Sequence, residues 1–282
     1  MVFKERLLMA FTFSHPVMII PIYKINSKMF SFFGLILGSM ILDFSYFFNF
    51  FPLIGFFDAN NYYSIKTLLF YYTPLSILIY LLYEYVIKIP LILNSPNFIK
   101  KRVLYSNIED KEIKNLKTLF VYLYSVVIGM VTHILLDEFT HPNTLISRNF
   151  IIWNKRIGIF SISNYLYLLT SIIGIIILFY LFIKIKTNLI PDAYKTTITK
   201  KIIYWSIVLL CTIVTLIILF QHTNGQVKWL IMGAIKTRDL TLALGAMRTF
   251  VVGFFSGGIL GVMLASLVYK VIGTVKTRIY AA

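Results

Sequence analysis

Apolar runs of about twenty residues or more with almost no charge recur along this chain, at about 29–56, 67–88, 117–138, 164–183, 202–220 and 248–270, with a shorter one at about 16–26. An α-helix of roughly 20 residues crosses the ~30 Å of hydrocarbon in a bilayer. There, only helices and closed barrels leave no backbone group unpaired. The runs are continuous rather than alternating, which selects helices. The expected fold is therefore all-α, a polytopic transmembrane helix bundle of about six full spans plus a short N-terminal helix. With 59% hydrophobic and only 13% charged residues, the chain lacks the polar residues needed to cover a water-soluble core. Residues 1–282 are read as a single membrane domain.

Lys4 and Arg6 precede an apolar run, the outline of a signal peptide, but no small-residue cleavage site follows, so the segment is expected to be retained. The most basic polar segments are 94–117 and 184–201, joined by the turn at Lys24 and Lys28 and by the C-terminal "VKTRIY". Basic residues stay on the cytoplasmic side of short loops, and alternating the spans puts all four segments, with the C-terminus, on that side. The net charge of +16 thus follows membrane topology and is spread along the collars. Anionic lipid headgroups are the expected partner and nucleic acid is not. Cys211, the single cysteine, lies in "IVLLCTIVTLIILF" and is expected to pack as a small apolar residue. Gly253, Gly257, Gly261 and Ala265 recur every four residues, a groove for close helix approach within the chain or between copies, so a homo-oligomer through this face is one expectation.

Ionisable groups inside the spans single out a site. A carboxylate in the bilayer core costs about 2.5–3.5 kcal/mol on insertion scales, so each needs a partner or a use. Glu84 has Lys88 one turn on, an ordinary helical pair. Asp43 has no such neighbour. In "GMVTHILLDEFTHPN", residues 129–143, His133 and Asp137 share one helix face. His141 precedes Pro142, where a helix tends to end, and is expected to swing back on a turn. At about 1.5 Å per residue, Asp43 lies roughly 22 Å from Lys28 and His133 about 24 Å from Lys117. His15, before Pro16 in a short first segment, falls near the same level and is expected on a loop. The candidate ligands are His15, Asp43, His133, Asp137 and His141, three imidazoles and two carboxylates that can saturate one divalent metal or share two. Mixed shells of this kind suit Zn, then Mn or Fe(II), rather than Ca or Mg. A hydrogen-bonded Asp–His cluster without metal is the alternative.

The elements "FTFSHP", "LGSMILDFSYF", "PLSILIYLLYEYVIKIPL" and "HILLDEFTHP" resemble, in that order, an uncharacterised family of bacterial integral-membrane proteins. That family is itself similar to membrane-bound metal-dependent hydrolases, including the LexA-binding inner-membrane group. The resemblance covers about 9–175, leaving 202–270 as additional C-terminal helices. It implies a bacterial plasma-membrane location and places the same five residues at positions treated as metal ligands. It also makes Met9 the expected initiator or start of the ordered fold. Family members often carry a histidine early in the third apolar segment, where this chain has "NNYYSIKT", and another ahead of the fifth, where it has "YLYLLTS". His222, on the outer side, is a spare imidazole.

Two function classes follow. The first is a membrane-embedded metal-dependent hydrolase with its site near the non-cytoplasmic face, acting on a lipid or lipid-linked phosphoester, with Glu138 as a candidate base. The second is a non-enzymatic membrane protein, holding a structural or degenerate site or acting as a transporter. The topology is testable by accessibility labelling of Asn107→Cys on a Cys211→Ser background. Labelling is expected only after the membrane is permeabilised, and labelling of intact cells would reverse the orientation.

Overall fold

The computed structural model describes residues 12–44, 47, 64–106, 113–141, 144–158, 160–222, 226–237 and 240–279. The expectations on the retained leader and on Met9 lie outside these residues. A 3-10 helix, Thr12–Met18, leads into α1, Ile19–Ile25, and α2 spans Phe32–Ile41. Helix α3 runs Ile65–Asn94, α4 Asn97–Leu104 and α5 Leu116–Thr140. Two short helices, α6 (Leu145–Asn149) and α7 (Ile151–Asn154), precede a two-residue hairpin of β1 (Arg156–Ile157) and β2 (Phe160–Ser161). The chain then forms α8 (Ile162–Ile183), α9 (Ile198–His222), α10 (Gln226–Thr237) and α11 (Leu240–Ile279).

The protein is an all-α membrane protein. Among the described residues, five helices are long and apolar enough to cross a bilayer: α3, α5, α8, Ile198–Gln221 of α9 and Leu242–Ile272 of α11. Of the expected second span, 29–56, the described part is helical over the ten residues of α2, and most of the remainder lies outside the described residues. Pro74 and Pro90 sit inside α3 and cannot donate to the helical ladder. Each follows a π-helical turn, Leu68–Tyr72 and Tyr83–Ile87, whose wider register absorbs the missing bond. Starts are capped by short polar side chains: Ser31 on α2, Asn115 on α5 and Ser161 on α8.

Two compact units are present. The first comprises Met1–Tyr46, Leu53–Ile77 and Asn107–Lys184. Its core is Leu35, Ile41, Tyr72, Tyr122, Val126 and Met130, all nearly inaccessible. Glycines bring α2 against α5: a Cβ added at Gly38 would stand 2.1 Å from the Val126 carbonyl oxygen, and one at Gly129 would stand 2.4 Å from that of Leu35. Ser31 fastens the start of α2, its backbone N–H donating to Ser125 Oγ at 3.0 Å. Against α8, Gly174 leaves room for the Thr12–Met18 segment, with Ser14 Cβ 3.0 Å from where a Cβ would stand.

The second unit comprises Phe47–Pro52, Leu78–Ser106 and Ile185–Ala282. Helices α9 and α11 pack through the expected small-residue face. A Cβ at Gly257 would stand 2.7 Å from Thr212 Cα, and one at Gly261 would stand 2.8 Å from Val208 Cα. The groove thus receives α9 of the same chain. Cys211 takes its expected packing place there, its Cβ 3.2 Å from where a Gly261 Cβ would be. Tyr204 adds a polar clasp to Ser266 at 3.0 Å. Glu84 and Lys88 pair at 2.6 Å, as their spacing predicts.

Forcing a branched side chain between α2 and α5 is expected to be costly, by about 1–3 kcal/mol or more for Gly38→Val or Gly129→Val. Gly258, with nothing within 4 Å of an added Cβ, is the control, and Gly258→Ala is expected to stay within about 0.5 kcal/mol of wild type. Thermal unfolding in detergent checks both.

Candidate functional site

Local sequence dictates how each site residue is presented. On α5, His133 and Asp137 are one turn apart, and the helix stops at Thr140 so that His141 adopts an extended backbone, φ −97° and ψ 143°. Its N–H still donates to the Asp137 carbonyl at 2.8 Å, which keeps its ring beside the helix end. Asp43 follows the last turn of α2, its N–H bonded to Met40 O at 3.2 Å. His15 lies within the 3-10 helix Thr12–Met18, not on the expected loop. Proline's fixed φ suits a 3-10 turn, and regular α-helix begins only at Ile19.

These residues meet inside the first unit. His15, Asp43 and His133 each offer a donor atom within 4.8 Å of the others. His133 Nε2 stands 3.2 Å from Asp137 Oδ2 and 3.8 Å from Asp43 Oδ1. His15 Nε2 is 3.4 Å from Asp137 Oδ1, and His141 Nδ1 is 3.3 Å from the same oxygen. The His15 and His133 rings stack at 4.2 Å between centroids, 19° from parallel. His15, His133 and Asp137 are 4%, 1% and 7% exposed, whereas the Asp43 side chain keeps 31% exposure and that of His141 22%.

The surrounding bonds aim these groups. Ser39, on α2, presents its carbonyl oxygen 2.8 Å from His133 Nδ1. A carbonyl only accepts, so Nδ1 carries a proton there and Nε2 is the nitrogen that faces the cluster. Thr12 Oγ1 donates to Asp43 Oδ2 at 2.5 Å, leaving Oδ1 turned toward His133. Tyr167 meets the His141 ring edge-on at 5.1 Å. Reasoning from sequence did not single out Ser39, Thr12 or Tyr167. Thr12, within "FTFSHP", had only proximity to His15 to mark it.

His15, Asp43 and His133 form a group that could hold a metal ion. Four donors at about 2.0–2.2 Å around one ion stand about 3.3–3.6 Å from each other. The separations of 3.2–3.4 Å all run to Asp137, while the donors of His15, Asp43 and His133 lie within 4.8 Å of one another. His15 Nδ1 is buried and has no hydrogen-bond partner among the described residues, and a buried nitrogen left unpaired is costly unless something occupies it. The carboxylate of Glu138 is committed elsewhere: Oε2 accepts from the Ile146 N–H at 3.2 Å, at the start of α6. His222 ends α9, and its side chain lies outside the described ones.

Removing Asp43 or His133 is expected to abolish stoichiometric metal, whereas Glu84→Gln should retain it. Elemental analysis of detergent-purified protein reads this directly. Chelation is expected to lower the melting temperature of wild type, since a ligand at a hundredfold excess over its Kd stabilises by about 2.7 kcal/mol. Asp43→Ala should show no further response to chelator.

No curated protein and no solved structure matches the chain at a significant level. One family description does, over residues 9–267, which takes in the site, both units and all five spans apart from the last turns of α11. The chain belongs to the family described as Domain of unknown function (DUF4184).

Proposed function

We propose that this protein is a membrane-embedded metal-dependent hydrolase acting on a lipid or lipid-linked phosphoester. The observation that carries the reading is the aim of His133: its Nδ1–H is fixed on Ser39 O at 2.8 Å, so Nε2 faces two carboxylates, one just past the end of α2 and one on α5. Metal-ligating histidines are held in this way, with the second nitrogen on a carbonyl or carboxylate. The donor set of imidazole and carboxylate suits Zn ahead of Mn or Fe(II). A bound ion would supply Lewis-acid polarisation of a phosphoryl oxygen and an acidified water.

The chain's own residues would do the rest. His15, His133 and Asp137 form a closed back wall. Asp43 and His141 keep the accessible edge from which substrate enters. Asp43, oriented by Thr12, is the carboxylate best placed to hold a water proton, and His141 is the imidazole nearest solvent. The site lies at the last turn of α5, about 32 Å along the helix from Leu116. If the basic loops are cytoplasmic, that end reaches the opposite headgroup layer, where a lipid phosphoester is presented.

A closed structural metal site is the second reading, favoured by the near-complete burial of His15 and His133. One assay separates them. Purified protein reconstituted with Zn is expected to release phosphate from phosphatidate or a polyprenyl diphosphate, and to lose this with chelator or Asp137→Asn. Thr12→Val, which removes the bond that orients Asp43, should cost about 10–100-fold in metal affinity or rate. Full metal occupancy with no turnover on either substrate would select the structural reading.

A further inference from the structure

A second polar site lies in the other unit and takes no part in the chemistry above. A cavity of about 770 Å³ is lined by Lys100 and Lys101 of α4, by Lys195 and by Lys201 in the first turn of α9. Against four lysines it holds a single carboxylate, Asp192, which is spent on Lys195 at 2.6 Å. Lys100 is buried to 1% exposure, yet among the described residues its ammonium finds only two backbone carbonyls, Leu93 O at 2.7 Å and Tyr194 O at 2.9 Å. Burial, then the neighbouring Lys201 charge, pushes its pKa below the usual lysine value. A lysine so placed, with one donor to spare, is short of an anion.

Lys100 also lines a second cavity of about 580 Å³, and there its neighbours are mostly apolar, among them Leu91, Ile92, Ile99, Val103 and Trp205, with Ser95 and Lys88, the ion-pair partner of Glu84, at its wall. One buried cation therefore stands at the junction of a basic cleft and an apolar groove. Both are built where α3 ends and α9 begins, at the ends of two helices long and apolar enough to cross a bilayer, and the ends of such helices meet the headgroup layer. Helix α4 has the character of an interfacial helix, with Phe98, Ile99 and Val103 exposed beside its lysines. We propose that this junction binds an anionic phospholipid, its phosphate in the lysine cleft and an acyl chain along the apolar groove.

The test uses the full chain purified in neutral detergent, with dioleoylphosphatidylglycerol, dioleoylphosphatidylcholine or inorganic phosphate added separately. Retained lipid is read by native mass spectrometry and protection by the melting midpoint. Phosphatidylglycerol is expected to be retained and to protect, and phosphatidylcholine is not. The pair Lys101→Gln/Lys201→Gln should weaken retention by about tenfold or more. An equal loss of charge from the exposed pair Lys184→Gln/Lys186→Gln should leave it unchanged. Equal retention of both lipids, or an unchanged Lys101→Gln/Lys201→Gln variant, overturns the proposal. So does full protection by inorganic phosphate alone, which would make the cleft a site for soluble phosphate. Should the double variant lose its cooperative melt, Lys101→Gln alone carries the comparison, since this side chain is only partly buried.

Discussion

At Gly38 and Gly129 two helices touch with no side chain between them, and the site exists because they do. Gly129 lies one turn before His133, and a Cβ there would come within 2.8 Å of the Ser39 nitrogen. The same approach puts the Ser39 carbonyl 2.8 Å from His133 Nδ1. Helix packing in lipid draws little on the hydrophobic effect and depends on close van der Waals contact. Here that contact also sets the tautomer of an imidazole. A side chain large enough to part α2 from α5 by an ångström would release Nδ1 from its acceptor and carry Asp43 away from Nε2.

Keeping two carboxylates and three imidazoles together in an apolar bundle is unfavourable unless each group is paired. Asp137 is met by His15, His133 and His141, and Asp43 by Thr12 and His133. The segments that bring them come from separate parts of the chain: Thr12–Met18 is a single 3-10 stretch seated against Gly174 of α8. An ion shared between this stretch, α2 and α5 would therefore be a structural link as much as a chemical one. Binding and folding would then be coupled, as they are wherever the ligands come from separate parts of the chain.

Much of this was legible beforehand, and for a definite reason. Charge is so expensive in hydrocarbon that Asp43, His133 and Asp137 stood out by type and depth, and counting along helices brought His15 to their level. The Glu84–Lys88 pair and the extended His141 followed from spacing and from Pro142. What eluded the sequence depended on backbone. Ser39 acts through its carbonyl oxygen, which every residue has. Gly34 and Gly38 form a small-residue motif in "FGLILG" as plain as the one at Gly253–Gly261, but only three-dimensional packing shows that it seats α5. Glu138 looked available as a base because its partner, the Ile146 N–H, is a backbone group beyond a turn.

The position of the cluster along α5 bears on what it can do. A centre in the middle of a span is sealed by lipid and by neighbouring helices, whereas one beyond the span end loses the burial that sharpens its electrostatics. His133 and Asp137 occupy the last two turns of α5, and the extended backbone at His141 folds a third imidazole back over them. Burial thus falls from His133 to Asp43 over less than 4 Å, between 1% and 31% side-chain exposure. A site that must hold an ion firmly and still meet a substrate at the headgroup layer needs a buried wall and an accessible edge, and the end of a transmembrane helix is where both can be built.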